Sequence, residues 1–223
     1  MHVSTALHKR ISIRAFEDKP VDEALLREVL DVARFSPSGG NVQPWKIIAV
    51  SGAEKDACTE LAQRTLAANP KGEAEERPIY PENLWEPHRS RRFKVGEDMY
   101  ETLGISREDK PSRFAWVARN YQFFGAPVGL FFVIDERMGY GQWAHLGMLM
   151  QSIALACVER GLGSCMQEAW GMVRKSLKSH FALEETELIY CGMAIGWPDT
   201  DAPVNTLRSD RAGLSDIATF KGF

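Results

Sequence analysis

The chain has 223 residues, of which 44% are hydrophobic and 26% are charged, and this composition excludes a disordered or collagen-like chain. Its 27 Lys and Arg residues stand against 30 Asp and Glu residues, giving a formal net charge of -3. No broad positive field is therefore available for nucleic acid or anionic lipid, and any bound anion must be held at a local site.

The first predicted elements are a helix, a loop and a strand. Asp22 is a candidate N-cap for a helix over Glu23 to Phe35, in which apolar residues recur at helical spacing. The sequence Ser-Pro-Ser-Gly-Gly-Asn at 36–41 then predicts a tight loop, because a residue before proline disfavours helix and glycine accepts positive φ. A strand is predicted over Trp45 to Val50.

The next quarter of the chain is less regular. Ser51 and Glu54 form a capping box that predicts a helix to about residue 69. Residues 71–92 are rich in proline, aromatic residues and arginine, and they look too broken for a helix. We expect a packed excursion over about 70–120, within which a capping pattern of Ser106 and Asp109 starts another helix.

The second half of the chain contains the strongest apolar segments. Val128 to Ile134 is a continuous apolar run that predicts a buried strand. Gln142 to Arg160 is apolar on all sides and should be the central buried helix, which Gly161 and Gly163 end. A helix over Met172 to Phe181, a strand over Leu188 to Ile195 and a C-terminal arm over 197–223 complete a single domain that spans residues 1–223.

The cysteine and histidine patterns indicate a reducing compartment and no metal site. The four cysteines are scattered without a C-x-x-C pair, and the histidines lack partners at metal-ligand spacing. The N-terminus lacks the apolar region of a signal peptide, and the longest apolar stretch is too short to span a bilayer. We therefore expect a cytoplasmic protein with no membrane partner.

Arg10, Ser12 and Arg14 alternate with Ile11 and Ile13 near the N-terminus. In an extended segment this period of two directs the three polar side chains to one side. Two guanidinium groups and a hydroxyl suit a phosphate or an electron-rich planar group, because arginine offers forked donors to such oxygens. A solvated edge strand is the alternative interpretation of this short charged alternation.

Several motifs together resemble the FMN-dependent nitroreductase family, in particular its nitrobenzoate-reductase-type branch. They are H-K-R-I-S-I-R-A-F at 8–16, S-P-S-G-G-N-V-Q-P-W at 36–45, Y-P-E-N-L-W-E-P at 80–87, F-G-A-P-V at 124–128, G-L-G-S-C-M-Q-E-A-W at 161–170, G-W-P-D at 196–199 and A-P-V-N at 202–205. The resemblance implies an α+β fold with a mainly antiparallel sheet wrapped by helices, assembled as an intertwined homodimer with FMN sites at its interface.

The resemblance assigns roles to cations at both ends of the chain. Arg10 and Ser12 match the family positions that bind the FMN phosphate and ribityl chain. Arg14 matches the cation beside the flavin pyrimidine edge, where it would stabilise the negative charge of the reduced ring, which is its expected catalytic role. Arg208 and Arg211 stand where the family places its last phosphate-binding cation, and Arg211 matches better.

Two further segments match flavin contacts of the family. The loop residues Pro37, Ser38, Gly39 and Asn41 correspond to a segment that reaches the flavin of the partner subunit, although an ordinary helix-ending turn would need the same glycines. Gln167, Glu168 and Ala169 correspond to a segment whose backbone N–H meets flavin N5, with Glu168 the favoured catalytic contact. A buried strand is the alternative for that segment.

The expected function is reduction of nitroaromatic compounds, with nitrobenzoate as one candidate substrate, by NAD(P)H in a ping-pong hydride mechanism. Tyr121, Phe123 and Phe124 are candidates for an apolar wall against which a small aromatic substrate stacks. Alternatives are an enone or quinone reductase on the same scaffold, and a non-catalytic flavin-binding module. A basic patch at Arg89 to Arg92 is an unfavoured nucleic-acid alternative, given the charge balance.

Overall fold

A four-stranded antiparallel sheet organises the chain in the computed structural model, which describes residues 1–73 and 77–223. Its strands are β1 (Lys46–Ser51), β2 (Val128–Asp135), β3 (Gly163–Gln167) and β4 (Glu187–Gly196). The strand order is β1-β2-β4-β3, so that β2 and β4 lie at the centre and β3 forms one edge.

Helices pack on both faces of the sheet and complete the described part of the chain. Their bounds are α1 (Val3–Lys9), α2 (Glu23–Ala33), α3 (Gly52–Ala68), α4 (His88–Thr102), α5 (Lys110–Ala118), α6 (Tyr140–Glu159), α7 (Arg174–His180) and α8 (Leu214–Ile217). Short 3₁₀ turns lie at Gly39–Asn41, Arg119–Gly125, Glu168–Val173 and Pro203–Thr206. No helix within the described residues is both long and apolar enough to cross a membrane.

The sheet separates two apolar cores, and strand β2 contributes to both. Leu130 and Phe132 pack into the core that α2 and α6 cover, whereas Phe131 and Val133 pack into the core on the other face, which includes α3 and α7. Successive side chains on a strand point to opposite faces. Because both faces are covered, β2 is apolar and buried from Val128 to Ile134 although the sheet is antiparallel, and only its last residue, Asp135, is charged.

The N-terminal segment after α1 runs beside the edge strand β3. Ser12 forms a parallel bridge with Ser164, and the Ile13 N–H donates to the Ser164 carbonyl at 3.0 Å. A Cβ atom on Gly163 would lie 2.6 Å from Cγ1 of Ile13, so only glycine permits this close approach. Phe16 bridges Pro198 in the same region, and the two ends of the chain therefore meet at this edge.

The predicted α+β fold with a mainly antiparallel sheet is confirmed, and most predicted elements are present. Asp22 and Ser51 occupy N-cap positions, but neither side chain makes a capping hydrogen bond. Asp109, not Ser106, caps α5, since its carboxylate accepts from the Ser112 N–H at 3.0 Å.

The prediction that residues 71–92 are too broken for a helix is wrong for the last five residues of this stretch. Helix α4 begins at His88, immediately after the last proline of the stretch, and it continues to Thr102. Its mean hydropathy is low and its residues are mostly exposed, so no apolar stripe indicates it in the sequence. Residues 74–76 of the predicted excursion lie outside the described residues, and the single-domain assignment over 1–223 remains a prediction.

Candidate functional site

A cleft of about 290 Å³ collects cationic side chains from the two ends of the chain. The N-terminal segment supplies Arg10, Ser12 and Arg14, and the segment after the last 3₁₀ turn supplies Arg208 and Arg211. The predicted alternation of the N-terminal triplet thus does place its three polar side chains on one cleft. The two segments are separated by almost 200 positions in the sequence. The bridge between Ser12 and Ser164 places the N-terminal segment at the sheet edge, and a hydrogen bond from the Arg14 backbone N–H to Asn205 connects it to the C-terminal segment.

The electrostatics of this arginine cleft favour an anion. The pKa of the Arg10 guanidinium is lowered from its ordinary value, first because burial removes solvent from the charge and second because the Arg211 guanidinium lies nearby. The Arg10 guanidinium nevertheless keeps its charge, because an arginine side chain is not deprotonated in proteins. Two cations held together in a partly desolvated cleft repel each other, and a phosphate between them would remove that repulsion.

The thiol of Cys165, on strand β3, is buried near the N-terminal residues that line the cleft. The side chain is 2% exposed, and burial raises its pKa, while Arg14, Ser12 and Arg10 oppose that rise. The thiol therefore stays protonated and packs as a small buried side chain, because a reactive thiol needs a lowered pKa and access to solvent.

Asn205 connects the two halves of the cleft, and the sequence analysis did not select it. Its side-chain oxygen accepts from the Arg14 backbone N–H at 2.8 Å, and its amide group donates to the carbonyls of Ala15 and Asp199, each at 2.8 Å. The Arg208 guanidinium donates to the Asn205 carbonyl at 3.0 Å. Asn205 is 7% exposed and thus fixes the backbone at Arg14 from inside the protein.

Arg208 and Arg211 also make contacts within their own segment. Arg208 donates to the Leu207 carbonyl, and Arg211 donates to the Ser209 hydroxyl and to the carbonyls of Ser209 and Asp210. Each guanidinium carries five N–H donors, so these bonds orient the groups and still leave donors for a ligand.

The segment from Gln167 to Ala169 follows β3 at the same edge, and its side chains differ in their surroundings. The Gln167 amide is buried and donates to the Asn120 carbonyl at 2.8 Å. The Ala169 carbonyl accepts from the Tyr121 hydroxyl at 3.2 Å. Gln167 is 1% exposed and therefore supports the segment from inside the protein, and the Tyr121 hydroxyl holds the Ala169 end of the segment.

Glu168 lies on the rim of a second cleft, of about 380 Å³, which also includes Trp143 and Tyr190. Desolvation raises the pKa of the Glu168 carboxyl although the residue as a whole is exposed.

The proposed aromatic wall is corrected by the structure. Phe123 is fully buried and Phe124 is 2% exposed, and both belong to the core on the α3 face. The Phe123 ring lies 4.6 Å from the Trp170 ring, centroid to centroid. Tyr121 is 9% exposed and packs edge-on against Trp170. The three side chains support the segment after β3 and present no open face to a substrate.

The loop from Pro37 to Asn41 is ordered by its own hydrogen bonds. The Ser38 hydroxyl accepts from the Gln43 N–H at 2.9 Å, and the Asn41 N–H donates to the Ser38 carbonyl. Gly40 and Asn41 adopt positive φ angles of 59° and 55°. Among the described residues, no hydrogen bond joins this loop to the arginine cleft, so the structure does not bring these two predicted parts together within one chain.

Helix packing also brings Glu54, Cys58 and His180 together, although the sequence spacing led us to predict no metal. One potential ligand atom from each of the three lies within 4.8 Å of the others. His180 is distant from the other two in sequence, which is why a search of local spacing did not find the group.

The antiparallel sheet, its helical layers and the arginine cleft at one edge define an α+β protein with a cationic cleft that suits an anion. The chain belongs to the nitroreductase family, whose model matches residues 7–197. The family resemblance expected from the motifs is therefore confirmed.

Relatives cover nearly the whole chain. The chain is 32% identical to nitrobenzene nitroreductase of Ectopseudomonas oleovorans, over 98% of this chain and 96% of that protein. It is 34% identical to 4-nitrobenzoate reductase of Pseudomonas putida, over 96% and 93% of the two chains. The crystal structure of the FMN and NADPH-dependent nitroreductase NfnB from Sphigopyxis sp. strain HMH superposes with a TM-score of 0.96, at 42% identity, over 100% of both chains.

The role of Asn205 gives a prediction for stability. Asn205→Asp keeps the oxygen that accepts from Arg14 but places a second oxygen against the carbonyls of Ala15 and Asp199, which lose their donor. We expect the free energy of unfolding, measured by urea denaturation, to fall by about 2 to 4 kcal/mol. Asn83→Asp makes the same charge change at an exposed residue and should alter it by less than about 0.5 kcal/mol. Equal effects of the two substitutions would contradict the role of Asn205.

Proposed function

We propose that this protein is an FMN-dependent oxidoreductase that reduces nitroaromatic compounds with NAD(P)H. The observation that carries the proposal is the arginine cleft, in which Arg10 and Arg211 approach each other at the edge strand that leads to Glu168. The relatives named for nitrobenzene and 4-nitrobenzoate support the substrate class, and the NfnB structure supports the two cofactors. A small aromatic nitro compound is the substrate that we assign.

The donor set of the cleft fits the FMN phosphate. Arginine side chains from two segments and the Ser12 hydroxyl converge on one cleft, and these groups are hydrogen-bond donors without a carboxylate among the lining residues. Arg10, Ser12, Arg208 and Arg211 would hold the phosphate and ribityl chain. This local cluster explains how a protein of net charge -3 can bind a phosphate dianion.

Bound FMN supplies two-electron chemistry, because its ring accepts hydride from NAD(P)H and donates it to an acceptor. Arg14 would face the electron-rich edge of the ring as a fixed cation that stabilises developing negative charge. The Glu168 main chain would supply the hydrogen-bond donor at the reacting edge, and the anchored Gln167 and Ala169 keep that main chain in place. These assignments give Arg14 and Glu168 the catalytic roles.

We further propose that the protein acts as a homodimer in which the loop of Pro37, Ser38, Gly39 and Asn41 completes the flavin site of the partner. The loop is ordered but is exposed at Gly39 and Asn41. Large apolar side chains beside it are also exposed, with Phe35 at 76% and Val42 at 48%. Such a patch on either side of a rigid loop suits a buried interface. We also propose a cytoplasmic location, where the four buried free thiols remain reduced.

The proposed activity predicts a specific spectroscopic response. Protein purified gently should show the visible bands of a flavin, and anaerobic NADH or NADPH should bleach them. Adding 4-nitrobenzoate or nitrobenzene should then restore the bands. Bleaching without recovery by a nitro compound, but with recovery by a quinone or an enone, would favour the alternative reductase. Yellow protein that neither nicotinamide bleaches would indicate a non-catalytic flavin-binding module.

Substitutions of Arg10 and Arg14 should affect different quantities, the first FMN binding and the second the rate of flavin reduction. Arg10→Ala removes a charge-assisted phosphate contact, so we expect the Kd for FMN to rise by roughly 10- to 100-fold with a smaller effect on reduction. Arg14→Ala should lower the rate of flavin reduction by roughly 10- to 100-fold in FMN-saturated protein, with a smaller effect on Kd.

Stopped-flow reduction and FMN titration measure the two quantities separately. Arg91→Ala, which removes an exposed arginine of α4 outside the cleft, is the control and should change neither. If Arg10→Ala and Arg14→Ala changed both quantities equally, the division of roles would be wrong.

The dimer proposal predicts the mass of the assembly and a substitution that should dissociate it. Sedimentation equilibrium should give twice the chain mass of 25.0 kDa. Phe35→Glu places a charge on the exposed patch and should weaken association and FMN retention together, because the loop of one chain serves the site of the other. Phe114→Glu changes a side chain of equal exposure, 75%, on α5 and serves as the matched control. A monomer that retains FMN stoichiometrically would overturn the shared site.

A further inference from the structure

Helices α3 and α7 pack against each other on the sheet face opposite α6, and three different metal-ligating residues meet where they touch. Glu54 and Cys58 are four residues apart on α3 and therefore lie on one face of that helix. His180 is the last residue of α7. A hydrogen bond between the hydroxyls of Thr65 and Ser176, at 3.1 Å, also connects the two helices.

The three side chains present a carboxylate, a thiol and an imidazole to one point. The His180 Nε2 atom lies 2.7 Å from Oε1 of Glu54, and one ligand atom from each of the three residues lies within 4.8 Å of the others. In tetrahedral zinc sites, bond lengths of about 2.0 to 2.3 Å place the ligand atoms about 3.3 to 3.7 Å apart. Side-chain shifts of about 1 Å would therefore bring these atoms to coordinating positions.

One of the three metal-ligating residues is buried, and the other two are partly exposed to solvent. Cys58 is fully buried, whereas the side chains of His180 and Glu54 are 28% and 54% exposed. The His180 ring is held edge-on against Phe181, at 4.9 Å between centroids, so its orientation is fixed before any ligand binds. An ion can therefore enter from solvent and find a sulfur ligand beneath the two exposed groups.

The charges of the group suit a divalent cation. A divalent metal that binds Cys58 would displace the thiol proton to solvent and would then face one thiolate, one carboxylate and a neutral imidazole. The resulting set is neutral overall, and water can occupy the fourth position.

We propose that Glu54, Cys58 and His180 form a site for zinc or a similar borderline-soft divalent metal that joins α3 to α7. The mixed sulfur, nitrogen and oxygen set is typical of zinc and excludes calcium or magnesium, which prefer oxygen alone. None of the three residues lines the arginine cleft, so the proposal stands apart from the proposed flavin chemistry. The metal would act on stability by holding two helices together.

The test uses the tag-free, FMN-loaded protein in equilibrium dialysis against buffered Zn²⁺, with bound metal measured by mass spectrometry. We expect one zinc per chain in the parent protein. His180→Gln changes a surface ligand and should weaken binding by about tenfold or more, as should Cys58→Ser. The matched controls are His88→Gln, at an exposed histidine, and Cys157→Ser, at another buried cysteine, and both should bind as the parent does.

Two further measurements identify the ligands and the effect. X-ray absorption at the zinc edge should show one sulfur neighbour at about 2.3 Å, and this neighbour should be absent in Cys58→Ser. At a free zinc concentration 100 times Kd, the Tm of the parent should rise by about 5 to 10 °C, with no rise in His180→Gln.

The proposal is overturned if the parent protein binds no zinc even when the free zinc concentration equals the protein concentration. It is equally overturned if His180→Gln binds zinc as tightly as the parent, because the metal is then held elsewhere. Circular dichroism of each variant separates loss of a ligand from loss of the fold. Since His180 is partly exposed, its substitution keeps the test decisive even where Cys58→Ser does not fold.

Discussion

The hydrogen bonds of one buried amide hold the functional cleft together. Asn205 binds the backbone of residues 14 and 15 through both of its side-chain polar groups, and it does so beside the edge strand to which Ile13 is also bonded. These bonds add to the bridge between Ser12 and Ser164, and they connect the N-terminal segment to the segment that carries Arg208 and Arg211. The mutual repulsion of Arg10 and Arg211 shows that the fold, and not attraction between the cations, keeps them close.

The sequence predicted the parts of the fold that burial dictates. The continuous apolar run from Val128 to Ile134 is buried in β2, because a sheet with two covered faces must exclude polar residues. The helix predicted over residues 142–160 is present as α6, but the prediction that it is buried on all sides is wrong. Leu146, Leu149 and Ile153 are buried, whereas Ala144, Gly147 and Met148 are exposed. Helix α4 was missed because it is exposed along most of its length and carries no periodic apolar signal. Its existence depends on tertiary contacts that local patterns do not encode.

In the candidate site, too, some residues were predictable from local sequence, whereas the role of others depends on contacts between distant parts of the chain. The alternation of Arg10, Ser12 and Arg14 was visible locally, and the family motifs supplied Arg208 and Arg211. The aromatic residues were misplaced because composition does not distinguish a substrate wall from a core, and only the packing of Phe123 on Trp170 decides between them. Asn205 lay inside a motif that was noticed, but nothing in the sequence indicates that its amide bonds to residues 190 positions away.

The contribution of both termini to one cleft also has a consequence for biosynthesis. The cleft is lined by residues between 7 and 14 together with residues between 207 and 211, so a growing polypeptide has no assembled cleft until residue 211 has left the ribosome. Under the proposed function, fragments that end before residue 207 would lack half of the phosphate-binding cations and could not retain the cofactor.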